Sequence, residues 1–279
     1  MSASILWSLA PQGSEEWLAA RRGLVTGSIA AIAREKVVVQ RAKAAKVDRK
    51  TGEVVEAERP EILGPSAACL LKARDLARER VGGRPQDVYT NAAMRLGQAE
   101  EPVARVAYED RTGYLVEEVG FAFTEDRRFG CSVDGLIHRP GSSSRAPRIW
   151  ECKTIVSSDL LFKAVIGGDI SEWIDQCLFN MWLLTAEAVE LYLHVWDLPE
   201  LSRIVVIERD EAEIEAIEAD MVAFEAMVAS NEALLRRALG GIEAADPSPD
   251  PASCADAAKA CNRHPPTHEK GLSVNVFSQ

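Results

Sequence analysis

The sequence has 279 residues, 47% of them hydrophobic and 27% charged, which suits one globular domain with appendages. No stretch approaches the roughly 18 apolar residues that a membrane-spanning helix needs, so no membrane association is expected. The net charge of -11 argues at first sight against a nucleic-acid partner, but a local basic surface would escape that argument, so charge alone excludes neither class.

The opening segment, MSASILWSLAPQGSEEW, has neither a basic leader nor a long apolar core. No signal peptide is expected, and the chain is expected in the cytoplasm. Ser14 followed by Glu15 and Glu16 reads as a capped helix start. Residues 34–50 carry seven basic and two acidic residues, and the stretch 34–59 reads as a mobile basic loop. Residues 64–81 form a predicted helix stopped by Gly82 and Gly83. A second, 88–112, puts Met94, Val103, Val106 and Ala107 on one apolar face and ends at Thr112-Gly113.

The periodicity then changes to two, predicting strands at 114–123, 128–138 and 148–154. Short helices follow at 158–166 and 171–185, and strands return at 188–196 and 202–208. A long helix over 210–238 presents Ile214, Ile217, Met221, Phe224 and Val228 on its buried side. Residues 208–232 hold nine acidic residues and one arginine. Residues 1–239 are expected to form one domain and the Ala-, Pro- and Asp-rich segment 240–279 a flexible tail. Six dispersed cysteines, at 69, 131, 152, 177, 254 and 261, read as reduced thiols and suit no iron–sulfur cluster. The fold class is α/β, a mixed central sheet flanked by helices.

The chemistry concentrates in Ser132-Val133-Asp134-Gly135 and Ile149-Trp150-Glu151-Cys152-Lys153. The intervening turn makes the two segments hairpin neighbours. Strand alternation puts Glu151 and Lys153 on one face, about 7 Å apart, with Asp134 able to join them. Two carboxylates and a lysine at one sheet edge are costly unless paired or bound to metal, and carboxylate oxygens suit Mg²⁺. A surface hairpin whose Glu151 and Lys153 face solvent fits the same pattern. Glu101, on the helix at 88–112, supplies a third acid, although Glu100 and Glu101 also fit a solvated helix face.

These residues, with Trp17–Ser28, Gly97–Glu101, Glu109–Gly113, Gly167-Gly168, Gln176, Asn180-Met181-Trp182 and Val205–Glu211, resemble in order and spacing the lambda-phage-type exonucleases and YqaJ-like viral recombinases. These are a branch of the PD-(D/E)XK nuclease superfamily with a restriction-endonuclease-like core. The resemblance implies that Asp134, Glu151 and the Cys152 backbone carbonyl hold a metal ion, with Glu101 at a second. It makes Lys153 the group that orients water and stabilises charge, and Gln176 a support from the following helix. The implied cofactors are two Mg²⁺ ions, with Mn²⁺ able to substitute.

The implied activity is 5′ to 3′ digestion of one strand of linear duplex DNA, yielding single strands for recombination. The implied partners are double-stranded DNA ends, a single-strand annealing protein and further copies in a trimeric ring. Arg21, Ser28 and Ser132 match the family's grip on a 5′-phosphate, and Met94 the apolar contact to the terminal base pair. Where a further arginine would complete the pocket this chain has Ser157-Ser158-Asp159, which weakens strict end polarity. Lys43, Lys46, Arg49 and Lys50 form a candidate phosphate-backbone contact. Cys254, Cys261, His264 and His268 fit no standard zinc spacing. A structure-selective endonuclease and a non-catalytic DNA-binding subunit are the alternatives, the latter opposed by the intact Asp134, Glu151 and Lys153.

Overall fold

Strand β1 (Ile5–Ser8) leads into helix α1 (Glu15–Arg21), where the Ser14 hydroxyl accepts the Trp17 N–H as the acidic first turn predicts. The computed structural model describes residues 4–44, 46–47, 54–56, 58–85, 92–141 and 144–245. After α1 the chain turns at Gly23, whose φ is +71° and where a Cβ would meet Arg80 Cγ at 2.7 Å. Strand β2 (Val25–Thr26) and helix α2 (Ala30–Arg34) follow.

The stretch expected to be a loop is instead a β-ribbon over its described residues. Strand β3 (Lys36–Gln40), then β4 (Lys46–Val47) and β5 (Val54–Glu56), then β6 (Ile62–Pro65) pair as β3 with β6 and β4 with β5, antiparallel, and Lys43 bridges Arg59 between them. The β-branched run Val37-Val38-Val39 explains the ribbon, because such residues favour a pleated backbone. Arg49 and Lys50 lie outside the described residues. The strand at Ile62–Pro65 also delays the next helix. Helix α3 (Ala67–Arg80) starts only where Ser66 caps it through the Cys69 N–H.

Helix α4 (Ala92–Thr112) buries Ala104 and Tyr108, whereas Met94, Val103 and Val106 are exposed. The apolar face expected from sequence is therefore the outer one. Tyr108 decides the orientation, since its ring packs with Trp150 and Tyr192 and its hydroxyl donates to buried Glu190 at 2.7 Å.

Two predicted strands each divide between two sheets. Residues 114–123 become β7 (Leu115–Glu117) and β8 (Phe121–Thr124), broken at Gly120, where the backbone passes so close to β1 that a Cβ would lie 1.8 Å from the Ser8 carbonyl oxygen. Residues 128–138 become β9 (Phe129–Ser132) and β10 (Gly135–His138), broken at Val133-Asp134. Strand β11 (Arg148–Ile155) precedes helix α5 (Ser158–Leu160), which continues as a π-helical turn over Leu161–Ile166. Helix α6 (Ser171–Leu183), strands β12 (Ala188–Val195) and β13 (Arg203–Glu208), and helix α7 (Glu211–Ala245) complete the described chain.

One sheet has the order β1-β8-β9-β2, the other β13-β12-β11-β10-β7. The second is mixed: β11 runs parallel to β12 and antiparallel to β10. Alternation along β11 and β12 sends Trp150 and Tyr192 to α4. It sends Ile149, Val189, Leu191 and Leu193 to the main core, shared with α6 and with Ile214, Ile217, Met221, Phe224 and Val228 of α7. This mixed α/β sandwich is the expected fold class. Contacts divide the chain into Met1–Arg236 and Arg237–Gln279. Cys254, Cys261, His264 and His268 lie outside the described residues. The four described cysteines are free thiols, and no described helix is long and apolar enough to cross a membrane.

Candidate active site

Asp134 sits in the break where the chain leaves one sheet for the other. Strand β10 pairs with β11 only at Gly135↔Trp150 and Leu136↔Ile149. Beyond Trp150 the β11 edge has lost its neighbour, and the Asp134 carboxylate takes that place, accepting the Cys152 N–H at 2.8 Å. Because a strand residue's N–H and C=O point to the same side, the Cys152 carbonyl faces this gap too.

Glu151 and Lys153 lie on the α6 face of β11. Glu151 is only 1% exposed, so its charge requires partners. It has three: Oε1 accepts from Lys153 Nζ at 2.8 Å and from Gln176 Nε2 at 2.6 Å, and Oε2 accepts from Asn180 Nδ2 at 3.3 Å. Lys153 Nζ also donates to Gln176 Oε1 at 3.2 Å. Gln176 and Asn180, four residues apart, occupy one face of α6.

The electrostatics follow from crowding. Burial, and then the Glu151 charge, push the Asp134 carboxyl well above its usual range. Burial alone would lower the Lys153 ammonium, but Glu151 and Asp134 outweigh it and hold the group protonated. Burial and Glu151 also push the Cys177 thiol up to about 12, so it is not a ready nucleophile. Glu101 on α4 is raised by burial and feels both Glu151 and Lys153.

The donor set fits a hard divalent cation. A carboxylate offers about four lone-pair sites, so the hydrogen bonds to Glu151 leave capacity on Oε2. A cation between Glu151, Asp134 and the Cys152 carbonyl would offset the burial and the Glu151 repulsion that together raise Asp134. Among the described residues no three His, Cys, Asp or Glu side chains form a metal-holding group, so Glu101 does not close a three-acid cage with the other two. One or two carboxylates with retained waters is the usual Mg²⁺ arrangement.

A second polar cluster borders the first. Arg21 Nη2 donates to Ser28 Oγ at 2.5 Å and to Thr26 Oγ1 at 3.2 Å, while its guanidinium stands 5.1 Å over the Trp17 ring. Its hydrogen-bond partners are hydroxyls, and burial lowers its pKa. Gly27 joins the clusters. It presses against α6 so closely that a Cβ would lie 2.6 Å from Asn180 Oδ1 and 3.4 Å from Gln176 Cγ.

The structure thus brings together Asp134, Glu151, Lys153 and Gln176, and separately Arg21 and Ser28. Ser132 ends β9, half-buried, two residues before Asp134. Met94 is exposed on α4, seven residues and about two turns before Glu101, and so on the same face. Lys43 and Lys46 are exposed on the ribbon. Sequence reasoning assigned no role to Thr26 or Asn180. The four-residue spacing of Asn180 from Gln176 was the available signal.

The sequence profile of the YqaJ-like viral recombinase domain matches residues 16–187, more than half of the chain. Among solved structures the chain is similar to an alkaline exonuclease, LHK-Exo, from Laribacter hongkongensis, at 25% identity and a TM-score of 0.63, covering 82% of this chain and 100% of that one. The same exonuclease in complex with dAMP matches at 26% identity, a TM-score of 0.63 and the same coverage. No curated protein matches. The sheet order and its flanking helices are accordingly those of a restriction-endonuclease-like core, and the chain belongs to the YqaJ-like viral recombinase family.

Proposed function

We propose that this protein is a metal-dependent deoxyribonuclease that digests one strand of linear double-stranded DNA from its 5′ end. The observation that carries the reading is the convergence of Asp134, Glu151, Lys153 and Gln176 on the gap where β10 parts from β11. Similarity to an alkaline exonuclease over that protein's whole length supports it.

In this reading Asp134, Glu151 and the Cys152 carbonyl would hold Mg²⁺ or Mn²⁺, and Glu101 would serve a second ion. Such an ion, when bound, would supply an activated water and polarise the scissile phosphate. Lys153, held protonated, places a fixed positive charge where negative charge develops on phosphorus oxygens. Gln176 and Asn180 fix the rotation of the Glu151 carboxylate, so that one lone pair stays directed away from its protein partners. Arg21 and Ser28, with Ser132 and the newly found Thr26, receive the terminal 5′-phosphate, since guanidinium and phosphate pair in a bidentate fashion. Met94 meets the terminal base pair. Lys43 and Lys46, with Arg49 and Lys50, follow the phosphate backbone without reading sequence.

The single strands produced would pass to an annealing protein in the cytoplasm, and the nuclease would work as a ring-shaped homotrimer. The test is incubation of purified protein with linear and closed-circular duplex, in Mg²⁺ and in EDTA. Loss of linear DNA alone, in Mg²⁺ alone, is the expected result. Nicking of circles would replace the exonuclease by an endonuclease, and no change in either substrate would leave a DNA-binding subunit.

A further inference from the structure

We propose that His194 is a positioning residue for the candidate active site: by holding Glu100 it fixes the turn of α4 that presents Glu101 to Asp134 and Glu151. The inference rests on the reading of Glu101 as a metal-facing acid.

Helix α4 is intrinsically weak at this turn. Pro102 lies inside the helix, where it has no N–H for the Gln98 carbonyl and its ring crowds that carbonyl. Gly97 adds backbone freedom in the same turn. Packing does not demand a glycine there, because a Cβ would meet only Thr154 Oγ1, at 4.0 Å. An acid that must be held to within a fraction of an ångström therefore sits on the least self-supporting part of its helix.

The support comes from β12. His194 is 3% exposed, and its Nε2 stands 3.3 Å from Glu100 Oε2. The Tyr192 ring stacks beside it, with centroids 6.0 Å apart and planes inclined by 30°. Successive helix residues project about 100° apart, so holding Glu100 against β12 sets the direction of Glu101 as well. The charges nearest Glu101 are Arg105 and Glu118, and it feels those of Glu151 and Lys153 more weakly.

His194 is also a costly choice for this place. Its Nδ1 is buried without a hydrogen-bond partner among the described residues. The contact with Glu100 is what the imidazole supplies and an aliphatic side chain would not.

The experiment titrates the DNA-free protein with Mn²⁺ and follows both the thermal midpoint and the heat of binding. The proteins compared are wild type, Glu101→Gln, His194→Leu and His194→Gln. Glu101→Gln and His194→Leu should each raise the half-saturating Mn²⁺ concentration by about tenfold, the low end for groups that orient a metal ligand. His194→Gln, whose amide can still donate to Glu100, should recover most of the loss, and KM for DNA should stay unchanged in both His194 variants. If Glu101→Gln weakens the response and His194→Leu does not, the positioning role is wrong and the reading of Glu101 stands. If Glu101→Gln has no effect, both fall. Should His194→Leu fail to fold, Glu100→Ala removes the same contact from its more exposed end, and the same comparison decides.

Discussion

Cys152 gives its backbone N–H to the carboxylate of Asp134, 18 residues earlier, at 2.8 Å. That bond substitutes for the strand pairing that ends at Gly135↔Trp150. It fixes Asp134 at the rim of the gap that Glu151 and Lys153 share, and it makes the loss of one ladder position the origin of the site.

Asp134→Asn keeps an acceptor for Cys152 and removes one of two mutually repelling charges, the half-buried one. The thermal midpoint in EDTA should be unchanged or raised, while cleavage falls by at least about a hundredfold, as for loss of a group that stabilises transition-state charge. Melting curves and initial rates on one preparation check both. A lowered midpoint would mean that Asp134 is a structural anchor.

Lys153→Met should behave in the opposite way toward stability. It leaves Glu151, 1% exposed, without its cation, and breaking such a buried pair costs about 3–5 kcal/mol. Denaturant unfolding in EDTA should show that loss, and saturating Mg²⁺ should recover part of it if Glu151 holds the ion. An equal loss with and without Mg²⁺ would separate Glu151 from metal binding.

For the end pocket, Arg21→Ala should abolish most of any preference for 5′-phosphorylated over 5′-hydroxyl duplex ends. A charge-assisted contact contributes about 1.5–3 kcal/mol, so the wild-type preference should be roughly ten- to a hundredfold. Degradation rates of the two duplexes at one salt concentration give the answer. Equal slowing of both substrates would assign Arg21 to the packing of Trp17 and Ser28 instead.

Away from the site, Arg80 spans three elements. It donates to the Gly23 carbonyl oxygen at 2.7 Å and to both Glu225 oxygens at 2.7 and 2.8 Å, tying α3 to the turn after α1 and to α7. Both side chains are largely buried, so Glu225→Ala should cost about 3–5 kcal/mol and Arg80→Ala a similar amount. Urea unfolding of the single and double variants should show clear non-additivity. Additive losses would mean that the two groups do not act as a pair.

What the sequence disclosed follows from periodicity. Ile214 through Val228 repeat at helical spacing and form one buried face, and Glu151 and Lys153 share a strand face because alternation requires it. Periodicity failed where tertiary contact decides. Residues 114–123 and 128–138 each alternate as one strand, yet Gly120 and Val133-Asp134 divide them between sheets. The break at Gly120 comes from the approach of Ser8, distant in sequence. On α4 the branched residues Val103 and Val106 signalled a core face, but the aromatic stack and hydroxyl of Tyr108 set the rotation. In the basic ribbon the charges suggest a loop, and Val37-Val38-Val39 is the feature that carries the strand. Thr26 offers no role in sequence, since its partner Arg21 lies on another element, and Asn180 offers only its four-residue spacing from Gln176.

The most direct test is single-turnover digestion of end-labelled linear duplex by wild type and Glu151→Gln, each in Mg²⁺ and in EDTA. Glu151→Gln changes almost no volume and removes the charge on which Lys153, Gln176 and Asn180 converge. The account predicts release of nucleotides by wild type in Mg²⁺ only, and none by the variant in either condition, with the variant still folded by circular dichroism. Wild-type digestion in EDTA, or undiminished digestion by Glu151→Gln, would contradict it.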